Sequence, residues 1–478
     1  MIYSTPQFLA LLILTMLAYQ LAKGRTGRST VLLVSSTLFY AWSGWVDLLV
    51  LQLVMLASWL TVFFGKMYPR RRKAFTAAGI ALIVAHLVFW KYTPWLFGWS
   101  WVAPLGISFY TLQKIGYLVD VFKGRAEPLR FREYLLFNGF FAQLVAGPIA
   151  RARALAPQLS RLSPIEPRNL AGGSALFMLG FAKKLVIADN LGVFVDKVFA
   201  RPHFFGRFEL VFAVVAFTCQ LWADFSAYTD MGRGAARIFG IELPENFLSP
   251  FLSRGPSEFW RRWHITLSEW IRDYVFVPLW SRHRSRLGGA LVLLSTLAIA
   301  GLWHGADWIF VVYGLYWGTL LVLEHYWRGT RLYLSTYRNL PSWVRWALAL
   351  PAMFCLLLVS RLLFRAGNFE RLGGYLSALE HPGPFTVVNL ELFVALVAVS
   401  ILFQVATYRS LEPGAQPLWR QASERASRKV RQRLEEPRAP VGSLGFALGA
   451  ALGLVLVASL TLSLAHSSRV FIYWSPLR

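Results

Sequence analysis

His304 stands in the run LAIAGLWHGADWIFVVYG, where one apolar stretch ends and the next begins. An ionisable side chain inside apolar sequence is costly to bury, so its presence asks for a reason. Gly301 and Gly305 flank it, and glycines let a second backbone or a ligand come close. A neutral imidazole in such a place can take a proton from a hydroxyl near neutral pH. The alternative is a structural histidine hydrogen-bonded between helices. His264, in PSEFWRRWHITLSEWIRDYVFVP, lies between an aromatic and a charged face, where structural, headgroup-facing and catalytic roles are all open. His86 and His325 read as structural, and His203, His283, His381 and His466 as loop or interface residues.

A further polar cluster is QLWADFSAYTDMGRGAARIFG, in which Gln220, Asp224, Ser226, Tyr228, Asp230, Arg233 and Arg237 interrupt or close an apolar run. Two acids and two arginines near a membrane core pair with one another or line a polar cavity. The chain has no Gly-rich phosphate loop, HExxH pair or GxSxG elbow, so ATPase, metalloprotease and serine-hydrolase chemistry have no support. Its two cysteines, Cys219 and Cys355, lie in apolar runs without metal-ligand spacing, and neither zinc nor a disulfide is expected.

These residues must be positioned by membrane helices. Of 478 residues 56% are apolar and only 15% charged, against about one quarter charged in a soluble domain. Lys and Arg number 49 against 24 Asp and Glu, a net charge of +25, which suits either a nucleic-acid surface or cytoplasmic loops. A nucleic-acid binder needs a contiguous basic face. Here Lys23, Arg25 and Arg28, then Arg70, Arg71, Arg72 and Lys73, form short clusters between apolar runs, as the positive-inside bias requires. Nucleic acid is therefore not expected as a partner.

A spanning helix needs about 20 mostly apolar residues. Candidate spans lie near 5–22, 30–45, 46–65, 76–93, 104–119, 133–150, 172–190, 208–223, 289–303, 308–325, 344–362, 391–407 and 443–465. The expected fold is thus an all-α, multi-pass integral membrane bundle of about 11–13 elements, some re-entrant, forming one domain over 1–478. The first apolar run is followed, not preceded, by basic residues, the reverse of a secretory signal, and is expected to remain as an anchor with its N-terminus outside. The clusters at 23–28, 66–73 and Lys123–Arg132 fall on one side, the cytoplasmic one. The polar stretch 408–440, with Arg420, Arg425, Arg428 and Lys429, reads as a cytoplasmic loop or surface helix against anionic membrane lipids. No internal repeat of the transporter kind is present. Between Pro256 and Pro278, aromatic and aliphatic residues recur at three- and four-residue spacings with charges between them, which predicts an amphipathic interfacial helix over 256–278.

Six segments in order, PLGISFYTLQKIGYLVDVFKG from Pro104, FFAQLVAGPIAR from Phe140, LFMLGFAKKLVIADNL from Leu176, LPENFLSPF from Leu243, EFWRRWHITLSEWIRDYVFVPL from Glu258 and GLWHGADWIFVVYG from Gly301, resemble the membrane-bound O-acyltransferase superfamily, and within it the bacterial alginate O-acetyltransferase branch. A weaker similarity runs from the N-terminus to about residue 390. The resemblance implies a helical bundle around a central funnel, with His304 deep in the membrane as general base. It places His264 as a second histidine of the site, facing the arriving donor. Trp303, Asp307, Asp224 and Asp230 are the candidate residues of the substrate funnel. Two departures stand out: Trp317 occupies a position where many branch members carry another histidine, and Ala227 one where they carry glycine.

The implied chemistry is acyl transfer from a cytoplasmic thioester such as acetyl-CoA, a substrate and not a tightly bound cofactor. Thioester and ester are close in free energy, so a base with oxyanion stabilisation suffices and no ATP site is needed. The expected role is O-acetylation of an exported polysaccharide such as alginate, from the bacterial inner membrane, with a periplasmic or extracytoplasmic acetyltransferase as partner. Teichoic acid, peptidoglycan, a lipid or a small molecule are alternative acceptors, and a non-catalytic transporter or scaffold is the alternative of a different class.

Overall fold

The computed structural model of the chain describes residues 2–282, 285–384 and 390–409. The apolar run 443–465, the basic stretch 408–440 beyond its first two residues, His283 and His466 lie outside the described residues. The chain is a multi-pass helical membrane protein. Among the described residues, eight helices are long and apolar enough to cross a membrane, and Pro6–Leu21 adds a shorter apolar one. Many large apolar side chains face outward, such as Leu49 and Leu53 on one helix and Leu291 and Ile299 on another, which suits contact with lipid and not with water.

The described chain falls into two compact units, where the sequence suggests a single domain. One draws on Met1–Leu185 and Phe225–Glu245, the other on Val186–Asp224 and on the described residues from Asn246 onward. The first unit contains α1 (Pro6–Leu21), α2 (Gly24–Ala41), α3 (Trp45–Met67), α4 (Arg72–Phe97), α5 (Ile107–Phe122), α6 (Phe131–Gly139), α7 (Phe141–Leu144), α8 (Ala152–Leu159) and α9 (Pro167–Ala182). Tyr3, Phe8, Phe39, Phe141 and Tyr228 pack in its aromatic core, with Tyr3 stacked on Tyr228 at 4.3 Å between ring centroids. The Tyr3 hydroxyl donates to the Phe141 carbonyl at 2.6 Å.

The expected span over 133–150 is not one helix. Helix α6 stops at Gly139, α7 is a single turn, and the chain then runs irregularly past Gly147 and Pro148, buried throughout 136–150. Proline there removes a helical donor. Irregular backbone survives at such depth only when protein groups satisfy it, and here Gln143 Nε2 donates to Phe137 O at 2.5 Å while Phe141 N donates to Ser36 Oγ at 3.1 Å.

Basic residues of this unit bond to neighbouring loops and helix ends. Arg25 donates to Ser160 O at 3.3 Å and pairs with Glu133 at 3.7 Å, Arg132 reaches Ser29 Oγ at 3.2 Å, and Arg72 donates to Val121 O. Arginines here add donors to polar groups near helix ends.

The chain continues through α10 (Asp189–Ala200) and the 32-residue α11 (Arg207–Ile238), which contributes to both units. Next come α12 (Pro256–Trp260), α13 (Ile265–Ile271), α14 (Val277–Trp280), α15 (Arg286–His304), α16 (Trp308–Arg328), α17 (Arg331–Ser335), α18 (Ser342–Ala366), α19 (Phe369–Glu380) and α20 (Leu390–Arg409). The amphipathic segment 256–278 is therefore broken, not one helix. It turns at Arg261–His264, where His264 adopts φ 43°, and widens into a π-helical turn at Arg272–Phe276. A left-handed residue cannot continue a right-handed helix. Its aromatic face is buried in protein: Phe259, Trp263, Leu267 and Trp270 are all at most 6% exposed.

Candidate active site

His304 is the last residue of α15 and begins a short turn into α16. Asp307 closes that turn by accepting the Ile309 N–H on its side chain at 2.9 Å, which makes it the N-cap of α16. The two helices run against each other because both lack a side chain where they touch. A β-carbon on Gly301 would sit 2.0 Å from Phe310 O, and one on Gly314 would sit 2.0 Å from Leu297 O. This close pairing fixes His304 against Tyr313 (ring centroids 5.8 Å apart), Phe364 (5.4 Å) and Trp303 (4.9 Å).

His304 lines a cavity of about 620 Å³ within the second unit, a size usual for small-molecule sites. Leu293, Leu297, Ala300 and Leu321 give it apolar walls, while Ser268, Arg272, Tyr313 and His325 bring polar groups to it. His325, read from sequence as structural, thus joins the lining.

His264 sits at the corner between α12 and α13, 1% exposed. The loop before α12 builds that corner: Leu248 N donates to Arg262 O at 2.9 Å and Ile265 N to Asn246 O at 3.0 Å. His264 Nδ1 lies 3.2 Å from Asn246 Oδ1, which also accepts the Thr266 N–H at 3.2 Å and the Thr266 hydroxyl at 3.0 Å. An oxygen partner assigns the proton to Nδ1 and the ring lone pair to Nε2. Burial pushes the imidazole down to about 3, so it is neutral at physiological pH. His264 does not line the cavity; the Trp303 ring, 6.5 Å from it between centroids, stands between the two histidines.

Glu258 anchors the same corner and carries no signal of its own in the sequence. It accepts from Arg254 N at 3.1 Å and Arg254 Nε at 3.0 Å, and from Arg262 Nε at 3.0 Å and Nη2 at 2.9 Å. Burial alone would raise its carboxyl, but these bonds outweigh burial and hold it below its ordinary 4.5. Glu324 on α16 fastens the start of α12 by accepting the Ser257 N–H at 2.7 Å and hydroxyl at 2.6 Å. Trp317 fills the space beneath, stacked on Phe259 at 4.9 Å and 3°, so the position is packed with aromatic surface where a histidine relay would need a polar ring.

The structure does not bring the acids of the polar cluster to this cavity. Asp224 is buried at 1% exposure and Asp230 belongs to the first unit. There Asp230 pairs with Lys183 at 2.5 Å and with Arg233 at 3.5 Å, and Arg233 reaches Glu245 at 3.1 Å. Asp230 and Arg233 thus pair in a network with Lys183 and Glu245.

Residues 123–359 match the family MBOAT, the membrane-bound O-acyltransferase family. A probable alginate O-acetylase AlgI of Azotobacter vinelandii is 32% identical over 87% of both chains. The peptidoglycan O-acetyltransferase of Helicobacter pylori is 32% identical over 61% of this chain and 62% of its own, and a teichoic acid D-alanyltransferase of Streptococcus thermophilus is 29% identical over 52% and 63%. The match runs through the α15–α16 turn and the corner before it, where the two histidines sit, and the chain belongs to the membrane-bound O-acyltransferase family and is an O-acyltransferase.

Proposed function

We propose that the protein, in the bacterial cytoplasmic membrane, moves an acetyl group from a cytoplasmic thioester such as acetyl-CoA toward O-acetylation of an exported polysaccharide, handing it to a separate extracytoplasmic acetyltransferase. The observation that carries this reading is His304 on the wall of an apolar cavity large enough for an acyl thioester. Similarity to proteins named for acetylation of alginate and peptidoglycan supports an acetyl donor and a cell-envelope glycan as acceptor.

In this reading His304 accepts the proton of the attacking hydroxyl and returns it to the leaving thiolate. The apolar walls exclude water, which protects the thioester from hydrolysis and strengthens electrostatic contacts inside. His264, neutral and locked by Asn246, holds Trp303 and through it the orientation of His304.

The test is transfer of label from radiolabelled acetyl-CoA in membranes carrying the wild type or His304→Ala, scored in polymer and protein fractions. Label that depends on His304 supports the reading, and its chemical destination identifies the acceptor. Equal label from both variants removes His304 from the chemistry. Label on lipid or on teichoic acid replaces the polysaccharide as acceptor.

A further inference from the structure

Arg361 lies in the apolar helix α18 and is 1% exposed. A guanidinium at that depth requires partners. It has aromatic ones, its Cζ standing 4.3 Å from the Trp263 ring centroid and 5.7 Å from that of Phe259. Its helix packs on α16, which brings the guanidinium's charge to bear on the Tyr313 phenol. Tyr313 lines the cavity that His304 lines, and their rings meet edge-on at 87° and 5.8 Å. One turn after Arg361, Phe364 packs on both, 5.4 Å from His304 and 5.5 Å from Tyr313. A buried cation thus stands near a phenol that shares a wall with the proposed base.

We propose that Tyr313 is the hydrogen-bond donor that stabilises the oxyanion of the acyl-transfer step, and that Arg361 is the positioning residue whose buried charge polarises its hydroxyl. The proposal rests on the acyl-transfer reading above. When the acceptor oxygen attacks the thioester carbonyl, a C–O bond forms, the carbonyl π pair moves onto oxygen, and the acceptor proton passes to His304. The oxyanion then accepts the Tyr313 O–H, which keeps its proton. On collapse the C=O bond re-forms and the C–S bond breaks, and the thiolate takes the proton from His304. Thioester and alcohol give ester and thiol with nothing left over.

The geometry favours this pair for a physical reason. A phenol beside a buried cation becomes a stronger donor, because the positive charge draws electron density from its oxygen in a medium of low dielectric, and a fixed donor in a dry site stabilises developing charge without reorganising. Arg361 supplies positive charge while Trp263 and Phe259 cover its faces, so the charge acts through Tyr313 and not by direct contact with substrate.

The experiment uses full-length protein in membranes, with acetyl-CoA as donor and both thiol release and label transfer measured across donor concentration. Tyr313→Phe is nearly isosteric and should lower kcat by about 10²–10³-fold, as loss of one oxyanion donor does, with KM for acetyl-CoA within about twofold. Arg361→Met should give a similar kcat loss and Arg361→Lys a partial rescue. The double variant Tyr313→Phe with Arg361→Met should be no slower than the slower single, because the two act as one device. Wild-type kcat in Tyr313→Phe overturns the proposal, as does loss expressed only in KM. Independent, multiplicative losses in the double variant overturn the assigned role of Arg361. These failures are distinct from failure of the underlying reading, which is absence of any His304-dependent transfer in the wild type and would overturn both.

Discussion

Gly301 on α15 and Gly314 on α16 face one another across the closest approach of the hairpin that carries His304, each sitting where a single added carbon would strike the opposite backbone. Gly314→Ala should therefore force the helices apart. Overpacking of this kind costs about 1–3 kcal/mol, so the unfolding midpoint of the solubilised protein should fall and acetyl transfer should fall with it. An unchanged midpoint and rate would show that the hairpin does not need the contact.

The neutral, buried state of His264 gives a pH dependence. Its folded value is near 3 against an ordinary 6.5, so between those limits the unfolded chain binds a proton that the folded chain does not. Stability from this group is complete above pH 6.5 and declines as pH falls toward 3. A His264→Gln variant should show a flatter stability profile between pH 6.5 and 4.5 than the wild type, measured by thermal unfolding. Parallel profiles would mean that His264 is charged in the fold.

Glu258 acts in a lower window. Its carboxyl is held below 4.5, so its contribution is present above that pH and lost as pH falls beneath it. Glu258→Gln keeps the shape but weakens four bonds to Arg254 and Arg262. It should destabilise the fold at pH 7 and make the loss below pH 4.5 shallower. Equal stability at neutral pH would deny the carboxylate its anchoring role.

Filling the cavity should separate binding from chemistry. Leu293→Trp places a larger ring in the lining and should raise KM for acetyl-CoA about tenfold or more, each tenfold being about 1.4 kcal/mol. His304→Gln should instead lower kcat by about 10²–10⁴-fold. A Leu293→Trp protein with wild-type KM would place the donor elsewhere.

Much of the membrane architecture was legible because apolar length reads directly as a spanning helix, and α3, α4, α15, α16 and α18 lie where the hydropathy places them. The segment at 133–150 misled because its composition is apolar while its burial is in protein, with Gln143 and Ser36 serving its backbone. The 256–278 segment misled for a similar reason: its spacing is helical, but Asn246, ten residues before the segment begins, bends the chain at His264. His304 was visible as a charge-capable residue in apolar sequence. Arg361 carries the same signal within the expected span 344–362. Glu258 and Tyr313 had no such mark, since a first-turn acid and an apolar-run tyrosine are ordinary until their partners are placed.

The left-handed backbone at His264 has a consequence for how this position tolerates exchange. Most side chains are penalised there by about 1–2 kcal/mol, whereas glycine and asparagine enter the same conformation readily. In a saturation library at residue 264, Gly and Asn would thus be the substitutions that leave the backbone of the corner between α12 and α13 unstrained. The gap in transfer between those two and histidine would measure what the imidazole does, its bond to Asn246 and its packing on Trp303 included, free of any cost to the backbone.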